Sequence, residues 1–137
     1  MEDTVVVHGH IMSQPTRSVM LFCELSQIKY RLQEVNFLAG ENLRRKFKAL
    51  NPFSEIPVIV YQKYNLWESA AIIQYLSDKF SVDNSYFPKN PEIRARILAY
   101  LHWHHENVRR PEPTVEQEKK LKAKALGVCN DLEWVLS

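Results

Sequence analysis

The chain has 137 residues, 45% of them apolar and 25% charged, which is ordinary for a globular protein. Its 18 basic and 16 acidic residues are interleaved and leave a net charge of +2, so nothing in the charge pattern points to nucleic acid as a partner. No stretch approaches the roughly 20 consecutive apolar residues that span a bilayer, and we expect no membrane partner. Cys23 and Cys129 form no CxxC motif, and the acidic N-terminus lacks a secretory layout. These features predict a cytoplasmic protein.

The first half of the chain alternates strand and helix signals. A β-branched run at residues 4–7 predicts a strand, and Pro15 suits the first turn of the helix that follows. Alternation over residues 30–37 predicts a second strand, which the right-handed crossover rule makes parallel to the first. A short charged helix is then predicted over residues 41–50. Its inward-facing residues are expected to be Leu43, Phe47 and Leu50.

A hairpin and a third helix complete this pattern. Strands are predicted at residues 58–61 and near residues 66–67, followed by a helix capped by Ser69. The apolar stripe of that helix consists of Ile72, Ile73, Leu76 and Phe80. The element order is therefore β-α-β-α-β-β-α within residues 1–80, which we interpret as one α/β domain.

The second half of the chain is predicted to be helical. Residues 81–90 form a polar, turn-rich linker, and Asn90-Pro91 provides a cap and an N1 proline for a helix that runs to about residue 110. Residues expected to be buried on this helix are Ile93, Ile97, Leu101, His104 and Val108. Thr114 with Gln117 resembles a capping box for a last amphipathic helix. Residues 91–137 are thus interpreted as a small helical domain.

Ser13 is the first candidate functional residue, because it lies where the first strand meets the first helix. Most serines in this position only cap the helix. A helix N-terminus also presents N–H groups and a positive dipole end, which stabilise an anion such as a thiolate. A hydroxyl there can donate a hydrogen bond to the sulfur and lower the pKa of a thiol.

Two further motifs offer complementary binding groups. An Ile56-Pro57 bond that opens a strand is a plausible cis site, with the Ile56 backbone turned outward to pair with an extended peptide; an ordinary strand-opening proline is the alternative. Glu68 and Ser69 lie at a helix start, where Ser69 suits a carboxylate and Glu68 an ammonium group; a simple cap with a helix-dipole acid is the alternative. Together with Ser13, these groups match γ-glutamyl-cysteinyl-glycine, which is glutathione.

Residues 3–110 resemble the cytosolic glutathione transferases, specifically the theta class and its plant and protist relatives. The segments that carry the resemblance are MSQPTRSVMLFC, NPFSEIPVIV, LWESAAIIQYL and ARILAYLHWHHENVRR. The resemblance implies a thioredoxin-like first domain followed by an all-helical second domain. It also implies a homodimer that conjugates the glutathione thiolate to a hydrophobic electrophile, with glutathione as co-substrate and no other cofactor.

The resemblance also implies a role for each site residue. Ser13 would stabilise the thiolate, Pro57 would be the cis-proline, and Ile56 would pair with the cysteinyl backbone. The remaining glutathione contacts would come from Gln14, Asn42, Glu55, Glu68 and Ser69. Arg109 would approach the sulfur from the fourth helix.

Two departures from the family weaken these expectations. Asn42 and Glu55 stand where relatives carry residues better suited to the glycyl carboxylate, and an acid there would repel it. The helical domain is expected to be truncated, with the wall for the second substrate largely missing. The alternative is therefore a weak or inactive binding or dimerisation module. His102, His104 and His105 are not expected to bind a metal, since only the first and last share a helix face.

Overall fold

The structure, a computed structural model, describes residues 3–109, with the backbone alone for Arg109. The chain divides into two compact units between Phe87 and Pro88. The predicted capping box at Thr114 and Gln117, the last amphipathic helix and the shortened end of the second domain lie outside the described residues. The domain bounds 1–80, 81–90 and 91–137 stay a prediction.

The first unit is built on a mixed four-stranded sheet. Its strands are β1 (Val5–Gly9), β2 (Tyr30–Glu34), β3 (Val58–Tyr61) and β4 (Tyr64–Trp67), in the spatial order β2-β1-β3-β4. β1 and β2 are parallel, whereas β3 runs antiparallel to both β1 and β4. The parallel pair, the hairpin and the thioredoxin-like arrangement are all confirmed.

Helices of the first unit flank this sheet, and a further helix belongs to the second unit. They are α1 (Gln14–Leu25), α2 (Arg45–Lys48), α3 (Ser69–Lys79) and α4 (Pro91–His104). Short 3₁₀ turns cover Phe37–Ala39 and Glu41–Leu43, and a π-helical turn at His105–Arg109 follows α4. As predicted, the Asn90 side chain caps α4, accepting a hydrogen bond of 3.0 Å from the Ile93 N–H.

The core of the first unit lies on both faces of the sheet. Val5 and Val7 of β1 are fully buried, and Gly9 follows them on the same face against Thr16 of α1. A Cβ on Gly9 would lie 2.5 Å from the Thr16 methyl carbon, so only glycine allows this strand and helix to approach so closely. A separate hydrophobic cluster consists of Phe47 of α2, Val35 and Val58.

The helix predicted over residues 41–50 is confirmed only as the short α2, and its continuity over the whole range is wrong. Arg44 is extended, with φ −71° and ψ 149°, and it separates a 3₁₀ turn from the single turn of α2. Leu43 and Phe47 therefore share no helical face, and Leu43 is 61% exposed while Phe47 is buried. β2 also ends three residues earlier than predicted, because the Asn36 side chain accepts a hydrogen bond from Ala39 and starts a turn.

The apolar face predicted for α4 is only partly confirmed. Ile97, Leu101 and His104 are half-buried, whereas Ile93 and Val108 are exposed. Ile93 lies in the first turn of the helix, and Val108 lies within the π-helical turn. A π-helical turn contains more residues than an α-helical turn, so each residue advances by a smaller angle around the helix axis. Val108 is therefore displaced from the face that carries the preceding apolar residues.

Candidate functional site

The sheet register brings three parts of the predicted site to one end of the sheet. Val58, the first residue of β3, pairs with His8 near the end of β1 and with Trp67 at the end of β4. The segments that extend beyond these pairs are 10–13, 54–57 and 68–69. Strand pairing alone therefore places the loop before α1, the segment before β3 and the start of α3 beside one another.

Ser13 is the N-cap of α1, as predicted. Its Oγ accepts a hydrogen bond of 3.4 Å from the Thr16 N–H, and Pro15 is buried in the first turn. A serine hydroxyl has one donor hydrogen and two acceptor lone pairs. The cap occupies one lone pair, and within residues 3–109 the hydroxyl donates to no protein acceptor, so its hydrogen is available to a ligand.

Gln14 is the first residue of α1 and is exposed. Its side-chain amide donates a hydrogen bond of 3.1 Å to the Ser18 hydroxyl, which in turn donates to the Gln14 carbonyl. This local pairing orients the amide along the helix surface beside Ser13. Contact between Gln14 and a ligand stays a prediction.

The Ile56–Pro57 peptide bond is cis, as predicted. Pro57 is buried and Ile56 is half-buried. In the described part of the chain, the N–H and C=O groups of Ile56 form no internal hydrogen bond. An unpaired backbone segment at the end of a sheet is suited to pairing with a peptide ligand.

Asn51 supports this loop, and sequence reasoning missed it. Its side chain is fully buried, donating 2.9 Å to the Glu55 carbonyl and accepting 3.0 Å from the Phe53 N–H. These two bonds fix the path of residues 51–55. The available signal was an asparagine at the start of a proline-rich loop, where its side chain replaces backbone partners.

Glu68 and Ser69 lie at the start of α3, but Ser69 does not cap it. Glu68 is the N-cap residue, with φ +68°, no side-chain cap bond is present, and Ser69 is the first helical residue. The helix begins one residue earlier than predicted because the backbone of Glu68 is left-handed. A non-glycine residue in this conformation is uncommon, and such strain concentrates at functional sites.

Asn42 is tied to the loop that carries Glu55 by a hydrogen bond to Ser54, the residue before Glu55. The Asn42 amide nitrogen donates a hydrogen bond of 2.8 Å to the Ser54 carbonyl, and its side-chain oxygen is buried without a donor. Glu55 is exposed, and its carboxylate has no ion pair or hydrogen bond among residues 3–109. This corner of the site therefore presents a negative charge and an amide whose nitrogen already faces a carbonyl.

The cysteine in the described region is not a candidate nucleophile. Cys23 is fully buried in α1, and burial, with a smaller contribution from Glu24, raises the pKa of its thiol to about 12. A thiol with such a pKa is essentially un-ionised at neutral pH. Cys23 therefore supplies no reactive sulfur to this site.

The remaining predictions concern the second unit and metals. Arg109 ends the π-helical turn, and its side chain lies outside the described residues, so its approach to the sulfur stays a prediction. Over residues 3–109, no three His, Cys, Asp or Glu side chains are grouped closely enough to hold a metal ion. Within the same region, no helix is both long and apolar enough to cross a bilayer.

Comparisons with known proteins agree with this geometry. Residues 4–78 match the family model of the glutathione S-transferase N-terminal domain. Glutathione S-transferase T1 of Arabidopsis thaliana is 38% identical over 105 residues, which cover 76% of this chain and 43% of the relative. Human glutathione S-transferase theta-1 is 34% identical over 100 residues, covering 73% and 42% respectively.

Solved structures show the same fold. Apo human glutathione S-transferase T1-1 superposes with a TM-score of 0.70 at 31% identity, covering 77% of this chain and 44% of that one. A human theta-2 transferase in complex with glutathione gives 0.77 at 25% identity, covering 90% and 58%. This chain spans less than half the length of the curated relatives named above. By sequence and by fold, the chain belongs to the glutathione S-transferase family, and its relatives include the theta class.

Proposed function

We propose that this protein binds glutathione and transfers its sulfur to an electrophilic carbon, with Ser13 stabilising the thiolate. The observation that carries the proposal is the Ser13 hydroxyl, whose hydrogen is uncommitted at the N-terminus of a 12-residue helix. The unpaired Ile56 backbone and the start of α3 lie at the same end of the sheet. The solved theta-2 structure named above contains glutathione, which supports the choice of ligand.

Each part of glutathione has a matching group in this site. The γ-glutamyl end carries a carboxylate and an ammonium, for which Ser69 and Glu68 offer a hydroxyl with a helix N-terminus and an exposed carboxylate. The cysteinyl residue pairs with the Ile56 backbone beside Pro57, which directs the sulfur towards Ser13. Gln14, Asn42 and Glu55 border the bound peptide.

The reaction is a direct displacement. The bound thiol loses its proton to solvent, the Ser13 O–H donates a hydrogen bond to the sulfur anion, and the helix N-terminus adds favourable potential. The sulfur forms a bond to carbon while the leaving group departs with its electron pair, giving a thioether. A free thiol has a pKa of about 8.5, so lowering it by one unit increases the ionised fraction at pH 7 by about eightfold.

The proposal extends to the protein's setting. We infer a hydrophobic electrophile as second substrate, with Arg109 on the sulfur side, no cofactor beyond glutathione as co-substrate, and a homodimer in the cytoplasm. The described cysteine is buried and unpaired, which is compatible with a reducing compartment. A binding or dimerisation module without turnover is the second candidate, favoured by the unpartnered Glu55 carboxylate.

The decisive experiment compares Ser13→Ala with Ser13→Thr and a capping control. Glutathione binding is measured by calorimetry, the thiolate by its ultraviolet absorbance against pH, and turnover with 4-nitrobenzyl chloride. We expect Ser13→Ala to bind glutathione, to raise the pKa of the bound thiol and to lose about 90% or more of the turnover, which is the size of a lost hydrogen bond to an anion. Ser13→Thr should retain most activity.

Asn90→Ala is the matched control, because it removes an N-cap hydrogen bond from α4 at similar cost to stability. Its thiol pKa and turnover should match those of the wild type once folding is complete. Equal turnover in Ser13→Ala and wild type would contradict the role of Ser13. Glutathione binding without turnover on any electrophile would favour the binding module.

A further inference from the structure

The charge at one end of the site bears on which thiol it accepts, an inference that rests on the proposed function. The sheet order places β4, which leads to Ser69, at one edge, with β3 next and β2 at the opposite edge. Asn42 follows β2 in the chain, and its bond to the Ser54 carbonyl ties that side to the loop before Ile56. Ile56 therefore lies between Ser69 on one side and the Asn42–Ser54 contact on the other.

An extended tripeptide can reach across these positions. Three residues span about 10 Å, which is about two strand spacings of 4.8 Å. With its first residue at Ser69 and its second along Ile56, the peptide directs its third residue towards Ser54, Glu55 and Asn42. In glutathione that third residue ends in a free carboxylate.

The groups at this corner are poorly matched to a carboxylate. Glu55 is exposed, and its own carboxylate is unpartnered within residues 3–109. The Asn42 amide nitrogen is bonded to a carbonyl, and its buried oxygen is an acceptor with no donor. Four cations follow Asn42 in the chain. An Arg44 guanidinium nitrogen lies 3.9 Å from a Glu41 carboxylate oxygen, Arg45 and Lys48 are exposed, and Lys46 lines a cavity with His8 and Gln33. Like charges at short range repel, whereas an ammonium group here would meet an acceptor.

We propose that the preferred thiol of this site is a γ-glutamyl-cysteinyl peptide whose carboxyl end is amidated by a cationic amine. Amidation removes the charge that Glu55 repels, and the added ammonium gives the Glu55 carboxylate a partner. The γ-glutamyl and cysteinyl contacts are unchanged, so the chemistry at Ser13 is the same. The difference between thiols lies in affinity and KM.

The test measures binding of three S-methylated probes to the full chain by calorimetry. The probes are glutathione, its glycyl ethyl ester, and glutathione amidated with spermidine, which carry a negative, a neutral and a positive carboxyl end. We expect affinity to rise in that order, by about threefold to fivefold per step at low salt, as for an exposed charge pair. Raising the salt concentration should reduce the differences in affinity among the three probes.

Two variants of Glu55 separate charge from shape. Glu55→Gln should make the three affinities similar, and Glu55→Lys should reverse their order, while the thiol pKa of bound glutathione stays as in the wild type. Tighter binding of glutathione than of the spermidine amide by wild type would overturn the inference, and loss of that preference in Arg45→Gln would identify Arg45 as the carboxylate partner. Failure of all three probes to bind would overturn the proposed function as well.

Discussion

The two sides of the proposed site are held in place by different interactions. Ser13, Ile56 and Ser69 adjoin the ends of strands, so paired backbone groups set their positions. Residues 36–55 lie outside the sheet and are held by backbone hydrogen bonds within short turns and by asparagine side chains bonded to the backbone. Those asparagines are Asn36, Asn42 and Asn51. The side of the site that holds Ser13, Ile56 and Ser69, called the sheet side, therefore depends on the same strand pairing as the core of the sheet. The opposite side, residues 36–55, can be altered by replacing single side chains.

The largest effect is expected on the sheet side, from Gly9→Ala. The added Cβ would meet the Thr16 side chain at 2.5 Å, where Thr16 is fully buried and cannot withdraw. Overpacking of this kind costs about 3 kcal/mol of the free energy of unfolding. Urea denaturation provides the measurement.

Thr16→Ala in the Gly9→Ala background is the matched control. It removes the two atoms at 2.5 and 2.6 Å and leaves the Thr16 Cβ at 3.2 Å, so it should restore much of the lost stability. Wild-type stability in Gly9→Ala alone would show that β1 and α1 can move apart to admit the methyl group. The sheet side would then be less constrained than strand pairing implies.

A smaller loss is expected on the opposite side, from Asn51→Ala. This change leaves the Glu55 carbonyl and the Phe53 N–H without their partners at 2.9 and 3.0 Å. Two buried hydrogen bonds are worth about 2 kcal/mol of unfolding free energy. Glutathione affinity should fall as well, because the loop that positions Ile56 loses its support, while the thiol pKa of any bound glutathione should be unchanged. Asn51→Asp keeps the acceptor for Phe53 but sets a buried carboxylate oxygen against the Glu55 carbonyl, so it should be destabilised at least as much as Asn51→Ala.

Asn36→Ala should have a more modest effect on the same side. The Asn36 side chain accepts 3.1 Å from the Ala39 N–H and starts the first 3₁₀ turn, a cap worth about 1 kcal/mol. Asn36→Asp retains the acceptor and should unfold at nearly the wild-type urea concentration. If Asn36→Ala destabilises as much as Gly9→Ala, then the two sides do not differ in the way described.

The sheet side was also the more predictable one. Its signals are local: a β-branched run, a proline in a first turn, and an isoleucine-proline pair before a strand. These identify β1 and α1 from neighbouring residues alone and mark Ile56–Pro57 as a candidate cis bond, whose cis form the family resemblance implies. Ser69 was misassigned as a cap because the left-handed backbone of Glu68 is set by the connection from β4, which no local pattern encodes.

The opposite side was less predictable because it contains a hydrogen bond between residues that are far apart in the sequence. Asn42 bonds to Ser54, twelve residues away, and the extended Arg44 interrupts a stretch whose composition favours a helix. Helix propensity is a weak prior that tertiary hydrogen bonds override. The bonds of Asn51 are local, to residues 53 and 55, but an asparagine before proline is common in loops of any kind and does not by itself indicate a supporting role.

The smallest effect is expected from His8, which lies on β1 between the two sides. Burial, and then the positive charges of Arg31 and Lys46, lower its pKa below the usual 6.5. The unfolded chain therefore binds a proton at this histidine more readily than the folded chain does. Stability from this group is complete above pH 6.5 and declines as the pH falls through the unfolded value towards the folded one.

Urea midpoints of wild type and His8→Gln at pH 7.5 and pH 5 measure this contribution. The decrease on acidification should be smaller in the variant, since glutamine does not titrate. An equal decrease in both proteins would mean that the folded and unfolded chains bind a proton at His8 equally readily. That outcome would place the acid-sensitive groups of the fold elsewhere, among the carboxylates.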